Sequence, residues 1–339
     1  MTRKLIVRAL QTLLAVVLVA GSAFALYVWR TWDRAYDEIP IPDVRASRDP
    51  GVIARGEYLV YGPAHCVECH AASFTEYLKV AEKQKIPLQG GTRFAAPPLG
   101  VIYSKNLTPD PETGIGRYSD GQIARMMRYN VRPNGRGSVG PMMPFHNMAD
   151  NDMLAIISFL RSQSPVRNEV PLDEWTLIGK IIRSVSSTFK PRQNVSPPSI
   201  APEEQPTRER GEYLARYVSD CVNCHTQLDS TTFEPIGPEF AGGWEMEPAP
   251  LPGVDMAVWF RTPNITPIKG GGLTKFPDRA TWIARFKAGG RQHPGSPMPW
   301  ESFAWMSDAD LGALYEFLHS LQPIESHNPG EVTFRKATD

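Results

Sequence analysis

A five-residue pattern occurs twice in this chain, and it restricts the possible folds more than any other feature. Residues 66–70 read CVECH, and residues 221–225 read CVNCH. Cys-x-x-Cys-His is the attachment signature of a c-type haem. Its two thiols can each form a thioether to the same porphyrin, and the adjacent histidine can then ligate the iron. The sequence therefore predicts two covalently bound haem c groups, attached through Cys66, Cys69, Cys221 and Cys224, with His70 and His225 as iron ligands.

A redox dithiol and a zinc site are the other uses of such cysteines. The two motifs contain all four cysteines of the chain. A zinc site built from all four would leave the two repeated histidines unexplained, and no cysteine remains for an ordinary disulfide. Haem attachment is therefore the preferred interpretation.

Most of the chain beyond its N-terminal region is an internal repeat. The paired blocks are RGEYL at residues 55–59 and 210–214, Gly-Gly at 90–91 and 242–243, Asn-[Leu/Ile]-Thr-Pro at 106–109 and 264–267, Met-Pro-aromatic at 143–145 and 298–300, and an aspartate-containing block at 148–152 and 306–310. All of them occur in the same order in both copies. The ordered match predicts two copies of one fold.

Each copy is predicted to contain the same three helices. Their expected starts are near Gly56 or Gly211 for the first helix, after Ser119 or at Asp278 for the middle helix, and at Asp150 or Ser307 for the last helix. Ser119 and Gln122 form a capping-box pattern at the middle helix of the first copy, and Ser307 and Asp310 form a similar pair at the last helix of the second copy. The last helix has apolar residues at helical spacing in both copies. We expect the last helix to pack across the first, with the two glycines allowing close approach. The 32 prolines predict many loops and few long strands.

The second axial ligand of each haem iron is predicted to be methionine, which raises the potential and suits electron transfer. Met143 follows Cys69 by 74 residues, and Met298 follows Cys224 by the same number. Both methionines precede a proline and an aromatic residue, so a stiff loop would deliver each sulfur. We therefore predict Met143 and Met298 as the axial ligands.

Other methionines and histidines are weaker candidates. Met142 has a proline counterpart in the second copy, and Met148 and Met306 are expected to be core methionines beside helix caps. His146 and His293 could also reach an iron, but neither has a histidine counterpart in the other copy.

Three further residues are singled out near the motifs. His65 precedes the first cysteine and is expected at the surface. Asn106 and Asn264 stand in the Asn-x-Thr-Pro loops, where they either form a turn or support a haem propionate. The sequence leaves these two roles equally open.

The N-terminal region is predicted to be a membrane anchor. Residues 9–29 carry no charged side chain, and Arg3, Lys4 and Arg8 precede them. As a helix, this stretch would be about as long as the hydrocarbon core of a bilayer is thick. The positive-inside rule keeps the N-terminus in the cytoplasm and exports the rest. A signal peptide cleaved at residues 23–25 is the alternative, but the apolar run continues past that site, so we favour a retained anchor.

The predicted organisation is an anchor over residues 1–30, a stalk over 31–48, a first haem domain over 49–163, a proline-rich linker over 164–206, a second haem domain over 207–323 and a polar, irregular tail over 324–339. Within the linker, residues 172–185 are predicted as a short amphipathic helix, docked on a haem domain or in contact with a membrane surface or partner. Lys+Arg and Asp+Glu balance at 36 each, so no basic field indicates a nucleic acid partner.

With these blocks, the chain resembles the membrane-bound class I cytochrome c subunits of periplasmic alcohol, gluconate and sorbitol dehydrogenases. The paired blocks above carry the resemblance, together with GIGRYSD at residues 114–120, and they cover roughly residues 50–162 and 207–321. The resemblance implies a mainly α protein in which an N-terminal transmembrane helix precedes two tandem class I cytochrome c domains. It also implies a bacterial inner-membrane location, with the haem domains in the periplasm.

Electron transfer is the function that these features favour. The resemblance implies electrons passing from a dehydrogenase or other respiratory donor to a quinone, an oxidase or a soluble cytochrome. Two six-coordinate haems leave no iron position for a substrate, and no Ser/His/Asp pattern, P-loop or Rossmann fingerprint points to an enzyme. The alternative is a di-haem cytochrome c peroxidase, which needs one haem with an open or opening sixth site, whereas the two ligand loops match here. A haem-based sensor would need an output domain, and none is visible before the anchor.

Overall fold

The computed structural model of the protein describes residues 3–139, 143–325 and 332–336, and helices dominate its regular structure. The helices are α1 (Arg3–Thr31), α2 (Pro50–Tyr61), α3 (Cys66–His70), α4 (Phe74–Tyr77), α5 (Asp120–Tyr129), α6 (Asp150–Ser162), α7 (Leu177–Val185), α8 (Arg208–Tyr217), α9 (Cys221–Cys224), α10 (Arg279–Lys287), α11 (Trp300–Phe303) and α12 (Asp308–His319). A largely helical protein that begins with an apolar helix agrees with the predicted fold class.

Two small antiparallel sheets supplement the helices. Their strands, in order across each sheet, are β1 (Arg93–Ala96), β2 (Gly100–Tyr103) and β3 (Glu174–Trp175), and then β4 (Glu245–Met246), β5 (Val258–Arg261) and β6 (Thr333–Arg335). In the first sheet Arg93 pairs with Tyr103, and in the second Trp259 pairs with Phe334. The expectation of an irregular tail is therefore wrong for β6, because this short segment with an aromatic residue pairs with an available sheet edge.

In each repeat, the first and last helices cross at a glycine. α2 packs on α6, and α8 packs on α12. A Cβ atom at Gly56 would lie 1.9 Å from the carbonyl oxygen of Ala155, and one at Gly211 would lie 1.9 Å from that of Ala313. The backbones are thus too close for any side chain at these positions. The predicted close crossing is confirmed in both repeats.

The first helix of the first repeat starts earlier than expected. α2 begins at Pro50, so Gly56 lies in its interior and the expectation of a start near Gly56 is wrong. The carboxylate of Asp49 accepts hydrogen bonds from the backbone N–H groups of Gly51 and Val52. Because Asp49 caps the helix and Pro50 fits its first turn, the helix forms before the glycine is reached.

The other predicted helix starts follow their capping residues. Ser119 and Gln122 form a complete capping box at the start of α5. Asp278 caps α10, and Ser307 caps α12. Thr207 caps α8, so this helix also starts ahead of its glycine. Local capping chemistry therefore explains the start of the middle and last helices in the second repeat and of the middle helix in the first.

A buried aspartate on α12 joins the two repeats. Asp310 accepts a hydrogen bond from Arg210 of its own repeat at 2.8 Å and one from the hydroxyl of Tyr58 in the first repeat at 2.7 Å. The backbone N–H of Ser307 in turn donates to the Tyr58 hydroxyl. The Arg210 and Asp310 side chains are 1% and 0% exposed, so this ion pair is fully withdrawn from water.

The first repeat mirrors this arrangement. Asp152 on α6 accepts a hydrogen bond from Arg55 of its own repeat at 3.0 Å and one from the hydroxyl of Tyr213 in the second repeat at 2.8 Å. The backbone N–H of Ala149 donates to the Tyr213 hydroxyl. The arginine and tyrosine of each RGEYL block therefore have separate tasks: the arginine binds within its repeat, and the tyrosine crosses to the other.

One apolar cluster also runs through both repeats. The ring of Tyr61 stacks on Trp305 of the second repeat with centroids 5.1 Å apart, and the hydroxyl of Tyr77 donates to Ser302 at 3.1 Å. The repeats thus share a core. The boundaries drawn between two haem domains from the sequence stay a prediction.

The predicted stalk does not stand free of the body. Tyr36 is buried, and its backbone N–H donates to the carbonyl of Gly135 at 2.8 Å. The backbone N–H of Ala46 donates to the carboxylate of Asp120 at 2.7 Å. The predicted stalk is therefore packed on the first repeat, because polar backbone groups of residues 31–48 find partners there.

The long helix α1 is exposed along its apolar stretch, and its length and composition suffice to cross a membrane. Near its C-terminal end, Val28 is buried and α1 contacts α7. α7 is shorter than the predicted linker helix over 172–185, because Glu174 and Trp175 pair with β2. Thr176 then caps α7 by accepting from a backbone N–H of its first turn.

Replacing Gly56 by valine is expected to force α2 and α6 apart. Overpacking typically costs about 1–3 kcal/mol, and here the obstacle is rigid backbone, so we expect the upper part of this range or more. Denaturant unfolding of the purified protein measures the loss. Gly312→Ala is the control, because its Cβ would meet only side chains, at 3.0 Å from Pro206 and 3.4 Å from Arg279. Equal stability of the two variants would contradict the role of the crossing.

Replacing Asp310 by asparagine is expected to leave the buried Arg210 charge without its partner. Breaking a buried pair by removing one side costs about 3–5 kcal/mol. The matched control is Asp308→Asn, because the Asp308 side chain is 73% exposed and its pair with Lys287 should contribute at most about 1 kcal/mol. Urea unfolding of both variants measures the loss of stability in each. Similar midpoints would contradict a larger contribution of Asp310 than of Asp308.

Candidate haem-binding sites

Each Cys-x-x-Cys-His motif forms a short helical turn that follows a residue in the left-handed conformation. His65, at φ 37°, precedes α3, and Asp220, at φ 55°, precedes α9. Residues three positions apart lie on one side of a helical turn, so the two cysteines of each motif share a side. No disulfide joins any of the four cysteines, all of which lie in the described residues, and each residue is half-buried. The sequence pattern is thus folded in the same way at both places.

The histidine of each motif is oriented by a backbone carbonyl from the same repeated loop. Nδ1 of His70 lies 2.7 Å from the carbonyl oxygen of Lys105, and Nδ1 of His225 lies 2.8 Å from that of Pro263. A carbonyl oxygen only accepts, so Nδ1–H is the donor and Nε2 keeps its lone pair. Burial lowers the pKa of both histidines, which favours the neutral ring. A neutral imidazole fixed through Nδ1 is suited to ligate a metal through Nε2.

The Asn-x-Thr-Pro loops hold these carbonyls in place. The side-chain oxygen of Asn106 accepts from the backbone N–H two residues on at 2.9 Å, and its amide donates to the carbonyl of Val166 at 2.8 Å. Asn264 makes the same turn at 2.8 Å and donates to Ile324 at 2.8 Å. Both asparagines are buried. Both asparagines therefore form the predicted turn, and a role in supporting a haem propionate stays a prediction.

The environment of the thiols does not suit a redox dithiol. Burial raises the pKa of the Cys66 and Cys221 thiols to about 12, and it also raises those of Cys69 and Cys224. Reactive dithiols instead need a lowered thiol pKa. In the described part of the chain, no three His, Cys, Asp or Glu side chains form a group that could hold a metal ion. A zinc site built from these motifs has no geometric support.

The predicted methionine ligands lie at the edge of the shared core. Met143 and Met298 are both half-buried and pack against the same apolar cluster as the first cysteine of each motif, Cys66 and Cys221. Met142 lies outside the described residues. Met148 and Met306 are both fully buried, so their assignment as core methionines is confirmed. The assignment of Met143 and Met298 as iron ligands stays a prediction.

Two histidines near the motifs lie at the boundary between the repeats. The ring of His65 meets that of Phe303 edge-on at 5.6 Å, and burial lowers the pKa of His65 to about 4. His65 is half-buried and not fully at the surface as expected, because Phe303 of the second repeat packs against its ring. The ring of His146 meets that of Tyr217 edge-on at 6.3 Å, and its pKa is also lowered to about 4, mainly by burial.

Sequence reasoning missed the buried acidic groups beside both motifs. Burial raises the pKa of Glu68, inside the first motif, to about 8, and that of Asp220, before the second, to about 7. The charges of Arg291 and Glu301 also act on Glu68, and these two form a buried ion pair at 2.9 Å. Neither sequence position signals burial on its own. The charged groups that act on these acids lie elsewhere in the chain, in the second repeat for Glu68 and at Arg192 for Asp220.

No protein-family model matches the chain. The alcohol dehydrogenase (quinone) cytochrome c subunit of Gluconobacter oxydans is 32% identical over 191 residues, which are 52% of this chain and 36% of that protein. The gluconate 2-dehydrogenase cytochrome c subunit of Pantoea cypripedii is 33% identical over 193 residues, which are 54% of this chain and 40% of that protein. The diheme cytochrome c-type protein of Cereibacter sphaeroides is 27% identical over 274 residues, which are 77% of this chain and 80% of that protein.

The chain spans less than two thirds of the length of the two dehydrogenase subunits named above. The relatives are cytochrome subunits and a diheme cytochrome by name, not catalytic subunits, which agrees with the electron-transfer role predicted from the sequence. The peroxidase alternative receives no support from them. The predicted resemblance is thus confirmed: the chain is similar to cytochrome c subunits of dehydrogenases and to a diheme cytochrome c, and covalently bound haem c is the cofactor that this similarity implies.

Proposed function

We propose that this chain is a membrane-anchored, periplasmic di-haem c-type cytochrome that transfers electrons. The observation that carries the proposal is the matching hydrogen bond from Nδ1 of both motif histidines, His70 and His225, to a carbonyl of the same repeated loop. It leaves Nε2 available at both motifs. Because both Cys-x-x-Cys-His turns orient their histidine in the same way, we expect each repeat to bind one haem.

The residues at both sites fit a covalently held haem. The first haem would be held by Cys66, Cys69, His70 and Met143, and the second by Cys221, Cys224, His225 and Met298. Bound haem supplies the one-electron chemistry. The protein attaches the group through its thiols, fixes the histidine ring through the loop carbonyl, and surrounds both with a shared apolar core.

We further propose that the repeats are two tandem class I cytochrome c domains, over residues 49–163 and 207–323. Both contain a crossing helix pair, a motif turn and a histidine-orienting loop in the same order. The hydrogen bonds of Tyr58 and Tyr213 to the opposite repeat tie the two units together. Electrons would therefore pass between the haems without a large movement of one domain relative to the other.

The names of the relatives suggest the class of redox partner. By their printed names, one is the cytochrome c subunit of an alcohol dehydrogenase (quinone) and another is that of a gluconate 2-dehydrogenase. By analogy, the electron donor is a dehydrogenase or another respiratory protein, and a dehydrogenase or oxidase subunit is the candidate partner. The acceptor is a quinone, an oxidase or a soluble cytochrome.

A carrier is favoured over a di-haem peroxidase by the symmetry of the two sites. A peroxidase needs one iron with an open or opening position, which would be reflected in unlike ligand loops. Here the spacing to the methionine, the histidine hydrogen bond and the asparagine turn are repeated. No acid or base of the protein is needed for electron transfer.

We propose that α1 remains in the mature protein as a single-pass anchor in the bacterial inner membrane. The helix runs unbroken through residues 23–25, the candidate cleavage site for a signal peptidase. The basic residues before the apolar stretch orient the N-terminus toward the cytoplasm. The body that follows would then lie in the periplasm, where it can meet its redox partners.

Replacing either predicted methionine ligand is expected to change one haem and leave the other intact. Met143→Ala and Met298→Ala should each remove about half of the near-infrared absorption band of ferric haem with methionine ligation, and each should lower one of two reduction potentials. A redox-poised absorption titration of the purified protein, extended into the near infrared, measures both effects.

Met148→Leu is the matched control, because Met148 is fully buried in the core. This variant should keep the whole near-infrared band and both potentials. A band that survives a ligand substitution unchanged would contradict that ligand assignment. A high-spin component in the unmodified protein would favour the peroxidase, and turnover of hydrogen peroxide would then be assayed.

Retention of α1 is expected to be visible in the mass of the mature protein. Protein extracted from bacterial membranes should contain residues 1–31 together with the mass of two haems, and carbonate washing should not release it. Intact-mass analysis before and after the wash tests this directly. A mature N-terminus close to residue 26, with release into the soluble fraction, would identify a signal peptide instead.

A further inference from the structure

An apolar surface that the electron-transfer function does not use lies on α7. Leu177, Ile178 and Val185 are 72%, 55% and 57% exposed, and Ile181 between them is half-buried. These four positions lie on one side of the helix, given its 3.6-residue period. A contiguous exposed apolar face of this kind marks an interaction surface rather than a scatter of surface residues. We call it the α7 apolar face.

The opposite side of α7 is fixed to the body. A Cβ atom at Gly179 would lie 2.1 Å from the carbonyl oxygen of Leu99, so helix and loop are in direct contact there. Ile182 is buried, and the buried Arg183 guanidinium donates to the carbonyl of Gly137 at 2.6 Å. Because the body occupies this side, the α7 apolar face is directed away from it.

The end of α1 contacts the side of α7 between these two faces. The hydroxyl of Tyr27 donates to the carbonyl of Ser184 at 3.1 Å, and the Lys180 ammonium lies 4.7 Å from the centre of the Trp32 ring. Tyr27 belongs to the last part of the uncharged stretch of α1. The C-terminal end of the α7 apolar face, at Val185, is therefore next to the part of α1 where its apolar stretch ends.

We propose that α7 is an interfacial helix whose apolar face inserts into the phospholipid headgroup region of the bilayer that α1 spans. This inference rests on the proposed function in one respect, the retention of α1 as an anchor. Amphipathic helices of this type bury their apolar face about 5–10 Å into the boundary between headgroups and acyl chains. The protein would then be held at two points, by a spanning helix and by a helix that lies on the surface.

Lipid is favoured over a protein partner by position and by charge. The bilayer is present beside α7 as soon as α1 inserts, whereas a protein partner would leave four apolar side chains uncovered whenever it is absent. Of the two charged residues of α7, Arg183 is buried against the body, so Lys180, beside Trp32, is the basic side chain that α7 presents at its surface. The helix contains no acidic residue. A basic residue on such a helix is attracted to anionic phospholipids.

Site-specific photocrosslinking to lipid tests the proposal. The photoreactive amino acid benzoylphenylalanine replaces Leu177 in the full-length, haem-loaded protein, reconstituted in nanodiscs of phosphatidylcholine and phosphatidylglycerol. After irradiation, mass spectrometry measures how much of the labelled peptide carries one phospholipid. Val185 is the second position on the same face. An unchanged haem absorption spectrum shows that each variant is folded.

Two comparison positions make the result decisive. Ile200 is 74% exposed but lies outside α7, and Leu14 is 59% exposed within α1. We expect adducts at Leu14 and Leu177, at least about tenfold above the level at Ile200. Adducts at Leu14 without adducts at Leu177 and Val185 would overturn the interfacial helix, would leave the anchor intact, and would assign the face to a protein partner. Absence of adducts at Leu14 would overturn the anchor, and the interfacial helix with it.

Discussion

The two buried aspartates, Asp152 and Asp310, are the points on which the rest of the structure depends. Each lies at the start of the last helix of its repeat and must accept hydrogen bonds from two directions. One donor is an arginine from the same repeat, and the other is a tyrosine from the opposite repeat. A buried carboxylate is tolerated only when its charge and its lone pairs are satisfied, so neither repeat is complete without the other.

Much of the fold could be predicted from the sequence because its signals are local or duplicated. The caps at Ser119, Asp278 and Ser307 depend on residues within one helical turn. The helix crossings could be predicted because Gly56 and Gly211 recur at the same place in the two copies. One error, the start of α2, comes from a local cap at Asp49, and the other errors concern non-local contacts. The packing of residues 31–48 on the body and the strand at the C-terminal end depend on partners far away in the chain, which no local pattern specifies.

The residues of the candidate sites also fall into two groups, those with a local signal in the sequence and those without one. The cysteines and the histidine of each motif are adjacent in the sequence, so their chemistry could be predicted directly. The carbonyls of Lys105 and Pro263 could not, because any residue supplies a backbone oxygen and only the fold decides which one meets the ring. The partial burial of His65 could not be predicted either, since Phe303, which packs against its ring, belongs to the other repeat. Repetition of the Asn-x-Thr-Pro loops was the one available hint of their role.

The packing of residues 31–48 on the first repeat has a consequence for how the protein meets other proteins. A flexible segment of this length would let the body range over roughly 20–25 Å from its point of attachment. Because Tyr36 and Ala46 are bound to the body, that reach is lost. The body of an anchored chain would keep one height and one orientation. Encounters would then depend on lateral diffusion of the partners and on whether their docking surfaces lie at the same level, and a collision from an arbitrary direction would be unproductive.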